Sequence, residues 1–219
     1  MHRIKFALAA LALSVSAHAA LIFNNGAPTT LGARDIGLFR SADDFALASA
    51  QNVAGIRFFY SWTHPLVAEP ADNFSGTITY AIYNDNAGNI GSQIATGSVS
   101  GLASTFTGII IPGSLAKINA VDFNLASAVA LSAGAYWLEL HDGPTISSDD
   151  GTRIGWILAD NTGNAKQGLA SNGLPANSVN NELAFELHDT AFGATGVPEP
   201  GSVALMAVGL AVIAALRRR

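Results

Sequence analysis

Five segments of the chain place large apolar residues at every second position, and that spacing restricts the kind of core the protein can build. Ile56, Phe58, Tyr60 and Trp62 alternate with mixed residues, as do Ile78, Tyr80 and Ile82; Tyr136, Leu138 and Leu140; Ile154, Trp156 and Leu158; and Leu183, Phe185 and Leu187. Successive side chains of a β-strand point to opposite faces, so each segment predicts a strand with one buried face. Weaker versions of the pattern lie at 21–23, 44–47, 94–99, 106–111 and 121–125. The stretches 84–89, 132–134, 149–151 and 161–164 are rich in Asn, Asp and Gly, residues suited to turns and to positive φ. About eight to ten such strands predict an all-β fold, an antiparallel two-sheet sandwich of jelly-roll-like form. Residues 160–179, with much Asn, Gly and Ala, read as one long loop.

Both ends of the chain are apolar in a different way. His2, Arg3 and Lys5 precede an apolar stretch over 6–15, followed by Ala17-His18-Ala19. A positive start, a short apolar run and a small-x-small site predict a signal peptide over 1–19, with cleavage after Ala19. At the other end Val197-Pro198-Glu199-Pro200-Gly201 leads into an uncharged run to Leu216, closed by Arg217, Arg218 and Arg219. The two prolines hold the chain extended, so a helix begins at about residue 201. Sixteen residues at 1.5 Å each reach roughly 24 Å, slightly short of a hydrocarbon layer of roughly 30 Å. Snorkelling arginines and local thinning close that gap. The arginine cluster stays on the cytoplasmic side, which puts the preceding chain outside. The expected organisation is a signal peptide, a β-sandwich over 20–189, a flexible linker over 190–196, and a terminal segment over 197–219 containing a transmembrane helix.

Composition narrows the function of the middle part. Without its two ends the chain keeps six basic and fifteen acidic side chains, a net charge near −9. No basic patch is available to displace counterions from a phosphate backbone, which excludes a nucleic-acid partner. There is no cysteine. An exported domain of about 170 residues without disulfides relies on its own hydrophobic core, and that length suffices.

The tripeptide Pro198-Glu199-Pro200, the apolar run and the arginine cluster occur in the order that resembles the PEP-CTERM sorting signal of Gram-negative bacteria. The resemblance covers 197–219. It implies recognition of the tripeptide by a membrane-embedded exosortase, an inner-membrane intermediate, cleavage near the motif, and release or transfer to the cell surface or outside, in a setting where exopolysaccharide is made. A second resemblance, to a β-sandwich module common among such cargo, rests on Leu131-Ser132-Ala133-Gly134-Ala135-Tyr136-Trp137-Leu138, Asp43-Asp44-Phe45, and Tyr83-Asn84-Asp85 with Gly91.

Sites for chemistry are few. Outside the signal peptide the histidines are His64, His141 and His188, and two of them sit in a repeated tetrapeptide: Glu139-Leu140-His141-Asp142 and Glu186-Leu187-His188-Asp189. In a strand each Glu and His share a face opposite the buried leucine. Were the strands neighbours, Glu139, His141, Glu186 and His188 would form a ligand set suited to zinc or nickel; polar residues on a solvent-facing sheet need no such role. Asp85 and Asn86 with Gly88, and Asp142 with Asp149 and Asp150, offer oxygen ligands for calcium, but not in the spacing of an EF-hand. Gly97-Ser98-Val99-Ser100-Gly101 has valine where a nucleophile elbow needs serine. Without a catalytic signature the chain reads as a noncatalytic surface or matrix protein with no cofactor. The alternative is a sugar- or calcium-binding module, with Phe59, Trp62, Tyr83 and Trp137 stacking on sugar rings; their other role is in the core or its rim. A hydrolase is the least supported reading. Ice binding needs a flat threonine array, and Thr77 and Thr79 are too few.

Overall fold

The computed structural model describes residues 19–62, 74–114, 116–146, 151, 153–169 and 173–193. The signal-peptide residues through His18, His64, Asp149, Asp150 and the terminal segment lie outside that set. The compact unit is Ala19–Phe192, and among the described residues it contains thirteen strands and no helix: β1 (Leu21–Asn24), β2 (Pro28–Asp35), β3 (Phe39–Leu47), β4 (Gln51–Trp62), β5 (Thr77–Asp85), β6 (Ile90–Ser100), β7 (Ser104–Ile110), β8 (Lys117–Leu131), β9 (Gly134–Asp142), β10 (Ile154–Ala159), β11 (Lys166–Leu169), β12 (Asn177–Ser178) and β13 (Phe185–His188).

All pairings are antiparallel, in two sheets. The first runs β1-β13-β4-β10-β2, with β8 on the free side of β4 and β7 beyond it; the second runs β12-β11-β3-β9-β5-β6. β4 is the organising strand of the first sheet. Its Phe58 pairs with Val121 of β8 on one side and with Phe185 of β13 on the other. Farther along the same side, Trp62 and Tyr60 pair with Ile154 and Trp156 of β10. Residues 182–184 then cross to β10, where the Ala159 amide donates to the Glu182 carbonyl and the Ala184 amide to the Ile157 carbonyl, each at 2.8 Å.

Apart from Trp62, the alternating residues of the five strong segments meet between the sheets. Ile56, Phe58, Tyr60, Ile154, Trp156, Leu158, Leu183, Phe185 and Leu187 from the first sheet face Phe45, Leu47, Ile78, Tyr80, Ile82, Tyr136, Leu138 and Leu140 from the second. Burying each such side chain contributes about 1.5–3 kcal/mol. Trp156 sits at the centre, donating from its indole Nε1 to the Ala184 carbonyl at 2.8 Å and meeting Phe58 and Phe185 edge-on. Gly97 lies opposite Tyr80 in the β5–β6 pair, and its missing Cβ leaves room for the tyrosine: a Cβ there would stand 2.7 Å from the phenol oxygen.

Three expectations need correction. Residues 160–179 are not one loop, because β11 pairs with β3 and β12 with β11; such short strands at the margin of a sheet are held by backbone pairing, so no apolar alternation announces them. β2 was outside every predicted strand, since Pro28, two threonines and Gly32 obscure the alternation of an edge strand. Finally, the linker does not begin at 190. Phe192 donates its amide to Asn124 Oδ1 at 2.6 Å and accepts from Asn124 Nδ2 at 3.1 Å, so Thr190–Phe192 belong to the compact unit.

Candidate functional site

The two copies of the tetrapeptide are separated by the thickness of the sandwich. In each, the leucine points inward as expected, Leu140 and Leu187 both joining the inter-sheet core. Glu139 and His141 consequently occupy the outer face of the second sheet, and Glu186 and His188 the outer face of the first. Stacked sheets lie about 10 Å apart, so the four candidate metal ligands do not converge.

Glu139 instead belongs to a buried polar set contributed by three neighbouring strands. Its carboxylate takes both arms of the Arg40 guanidinium, Nη2 reaching Oε2 at 2.8 Å and Nε reaching Oε1, and it accepts from the Tyr83 hydroxyl at 2.6 Å. Arg40 is 6% exposed and Glu139 fully buried. Burial acts against the charge of Arg40, but hydrogen bonds and attraction from Glu139, with a smaller part from Tyr83, outweigh it and hold the guanidinium pKa above its ordinary value. The Tyr83 phenol is pushed up, first by burial and then by the Glu139 carboxylate, and stays protonated. Beside this set, Trp137 donates its Nε1 to Asp85 Oδ1 at 2.8 Å, and the Lys166 ammonium lies 5.3 Å from its ring centroid. His141 is fully buried on the same strand.

That arrangement removes most of the proposed sugar platform. Tyr83 and Trp137 pack with Ala42 and Ala81 on the outer face of the second sheet, and Phe59 packs with Ile118, Ile157 and Ala184 on that of the first. Trp62 is half-buried. Of the calcium candidates named from sequence, Asp85 and Asp142 hold hydrogen bonds within the fold. Asp85 accepts the Gly88 amide at 3.0 Å and so closes the β5–β6 turn, where Ala87 and Gly88 both take positive φ. Asp142 accepts from the Ser75 hydroxyl at 2.6 Å.

A different group of acids is brought together. Asp43, Asp44 and Glu182 can each direct an oxygen to within 4.8 Å of the others. Asp43 is on the inward face of β3, fully buried, and it receives the Leu183 amide, Asn25 Nδ2 at 2.8 Å and the Asp44 amide at 3.1 Å. Asn25 also donates to Glu182 Oε2 at 3.0 Å. Gly163 cradles the Glu182 carboxylate, and a Cβ there would overlap it. Burial and then the charge of Glu182 raise Asp43 well above the usual carboxylate range, and the same two causes raise Asp44. An all-oxygen set with crowded negative charge is chemistry suited to a hard cation. Sequence reasoning singled out Asp43 and Asp44 only as part of a resemblance and missed Glu182, which lies about 140 residues away.

On the outer face of the first sheet, Arg57 forms two bonds to Asp122, at 2.6 and 2.8 Å, and lies 3.5 Å from Glu186. Its guanidinium carbon stands 5.8 Å from the Phe192 ring centroid. His188 Nε2 is 3.2 Å from Glu186 Oε2, and its ring meets that of Phe192 at 4.6 Å. These contacts fasten the C-terminal end of the compact unit to β4 and β8.

Beyond that point come Pro198, Glu199 and Pro200, the uncharged run over 201–216, and Arg217, Arg218 and Arg219. Among the described residues no helix is long and apolar enough to cross a membrane. The identity of the tail is decided by comparison with protein families. Residues 196–219 match the PEP-CTERM protein-sorting motif. No curated protein matches the chain. The PEP-CTERM motif marks an exosortase-sorted protein, exported and held at the membrane before processing. It occupies about a tenth of the chain and carries no information about the activity of the sandwich, since function resides in sites and not in a shared sorting tail.

Proposed function

We propose that the chain is a noncatalytic cell-surface or extracellular-matrix protein whose β-sandwich is delivered by its PEP-CTERM tail and works in association with exopolysaccharide. The PEP-CTERM match at 196–219 carries this reading. On this account the N-terminal 19 residues direct export and are removed after Ala19, residues 201–216 span the inner membrane, and Arg217–Arg219 hold its cytoplasmic end. Exosortase recognises Pro198-Glu199-Pro200 and cuts nearby. The sandwich supplies a supporting circumstance: the buried Arg40 and Glu139 are committed to each other and to the Tyr83 hydroxyl, in the manner of a structural module.

The test is the mature C-terminus. In cells that possess an exosortase, mass spectrometry of the surface or released protein should show a chain ending near Pro200. A Pro198→Ala/Pro200→Ala variant should accumulate in the membrane fraction with its tail intact. Recovery of intact tails from the surface of wild-type cells would remove the processing claim.

A second reading, a calcium-binding module, is favoured by the convergence of Asp43, Asp44 and Glu182. Calcium at a hundredfold excess over its dissociation constant should then stabilise the protein by about 2.7 kcal/mol, visible as a higher melting temperature in calcium than in chelator. Glu182→Gln should abolish that difference. An equal melting temperature in both buffers would leave the acids a purely structural role.

A further inference from the structure

We infer that removal of the signal peptide builds a new ion pair: the α-ammonium of Ala20, created by cleavage after Ala19, is held by the carboxylate of Asp189 and fastens β1 to β13. The inference rests on the signal-peptide reading, and its own content is the fate of the new terminus.

The geometry is already in place. The Ala20 nitrogen donates to Asp189 Oδ1 at 2.9 Å, and the Asp189 amide donates back to the Ala20 carbonyl at 3.0 Å. This reciprocal pair extends the β1–β13 ladder, in which Leu21 stands opposite His188, Phe23 opposite Leu187 and Asn24 opposite Glu186. The ladder therefore reaches the first residue after the predicted cleavage site, and no slack separates the two. Other polar groups facing this corner are the Thr190 hydroxyl, 3.1 Å from the same Asp189 oxygen, and His188, whose Nδ1 is 3.4 Å from the Ala19 carbonyl oxygen and whose Nε2 faces Glu186, with Arg57 beyond it.

Hydrolysis changes what Ala20 offers. Water adds across the Ala19–Ala20 amide: the carbonyl carbon gains the hydroxyl and departs as the Ala19 carboxylate, while the nitrogen takes both protons and becomes an ammonium group. One neutral N–H donor is replaced by three donors and a full positive charge. The amide already donates to an ionised acceptor before cleavage; what cleavage adds is the attraction between two full charges in a partly exposed place. The Ala19 carbonyl leaves the neighbourhood of His188 at the same time. Docking of the first strand thus becomes stronger once the leader is gone, so cleavage and completion of the first sheet are linked through one carboxylate.

The experiment uses the chain over 20–219 in detergent, produced with Ala20 as its first residue, alongside the same chain preceded by Gly-Ser-Gly; each is also made as Asp189→Asn. Hydrogen exchange is followed at the amides of residues 23–25, and the terminal amine is titrated by NMR. With Ala20 first, those amides should exchange about two- to fivefold more slowly than in the extended chain, the range for a partly exposed ion pair. The amine should titrate above its usual range of about 7.7–8.0. Both differences should vanish with Asp189→Asn, which keeps the side chain's size and its acceptor oxygen. Exchange that ignores the first residue, or a difference that survives in Asp189→Asn, would overturn the pair. N-terminal sequencing of the exported protein is read separately: a start other than Ala20 defeats the signal-peptide reading, while the four-protein comparison still reports on the pair.

Discussion

Arg40→Ala should cost the domain about 3–5 kcal/mol of unfolding free energy, because it leaves a buried carboxylate without its counter-ion. Glu139 has no exposed surface, and of the three donors that Arg40 and Tyr83 provide, the variant keeps only the phenol. The loss reflects the stranded charge and not the worth of the pair. Arg40→Met combined with Glu139→Leu removes both charges at similar volume, and such replacements of buried ion pairs are often neutral or stabilising. The double variant should therefore recover most of the loss. Urea unfolding followed by tryptophan fluorescence measures both, with Trp137 beside the site. A loss below about 1 kcal/mol in Arg40→Ala would mean that water reaches Glu139 and that the set is not sealed.

The second large effect concerns Asp43. Asp43→Ala should cost about 1–3 kcal/mol, since the Leu183 amide loses its acceptor in a buried place, while Asn25 Nδ2 keeps Glu182 Oε2 and the Leu183 carbonyl as acceptors. Asp43→Asn keeps one acceptor oxygen and isolates the effect of charge. In the folded protein, burial and Glu182 raise the Asp43 pKa well above its ordinary value. The folded state therefore holds a proton at pH values where the unfolded chain has lost it, and stability falls as pH rises from the ordinary aspartate range to the raised value. In chelator, the wild-type chain should gain stability on acidification from pH 7 toward about pH 5, and Asp43→Asn should show a flatter profile. A wild-type profile that rises with pH over that interval would contradict the assigned crowding of Asp43 and Glu182.

The inward faces of the main strands were legible because burial on one side of a sheet imposes a period of two, and Ile78-Tyr80-Ile82 or Tyr136-Leu138-Leu140 leave no other economical reading. The short or marginal strands were not. β2, β11 and β12 are held by backbone pairing and a few polar side chains, neither of which leaves a periodic trace. The outer faces misled for a related reason: alternation assigns Tyr83, Trp137 and Phe59 to the side away from the core, yet these residues form small apolar clusters of their own. Glu139 and His141 were correctly placed on one face, while the sheet partner of β9 could not be derived from a repeated tetrapeptide. The acidic cluster joins β3 to the segment entering β13 across most of the chain length, and proximity of that kind is set by topology alone. The sorting tail is the opposite case, because its message lies in contiguous residue order.

The pairing of Ala20 with Asp189 also says how the domain bears tension. Antiparallel neighbours with their loaded ends on the same side do not resist as a block. A pull applied between the two ends of the folded unit opens the β1–β13 ladder one contact after another, as a seam unpicks, starting at the Ala20 corner. A pull on the C-terminal side enters instead at Phe192, where the paired hydrogen bonds to Asn124 of β8 pass it into the first sheet.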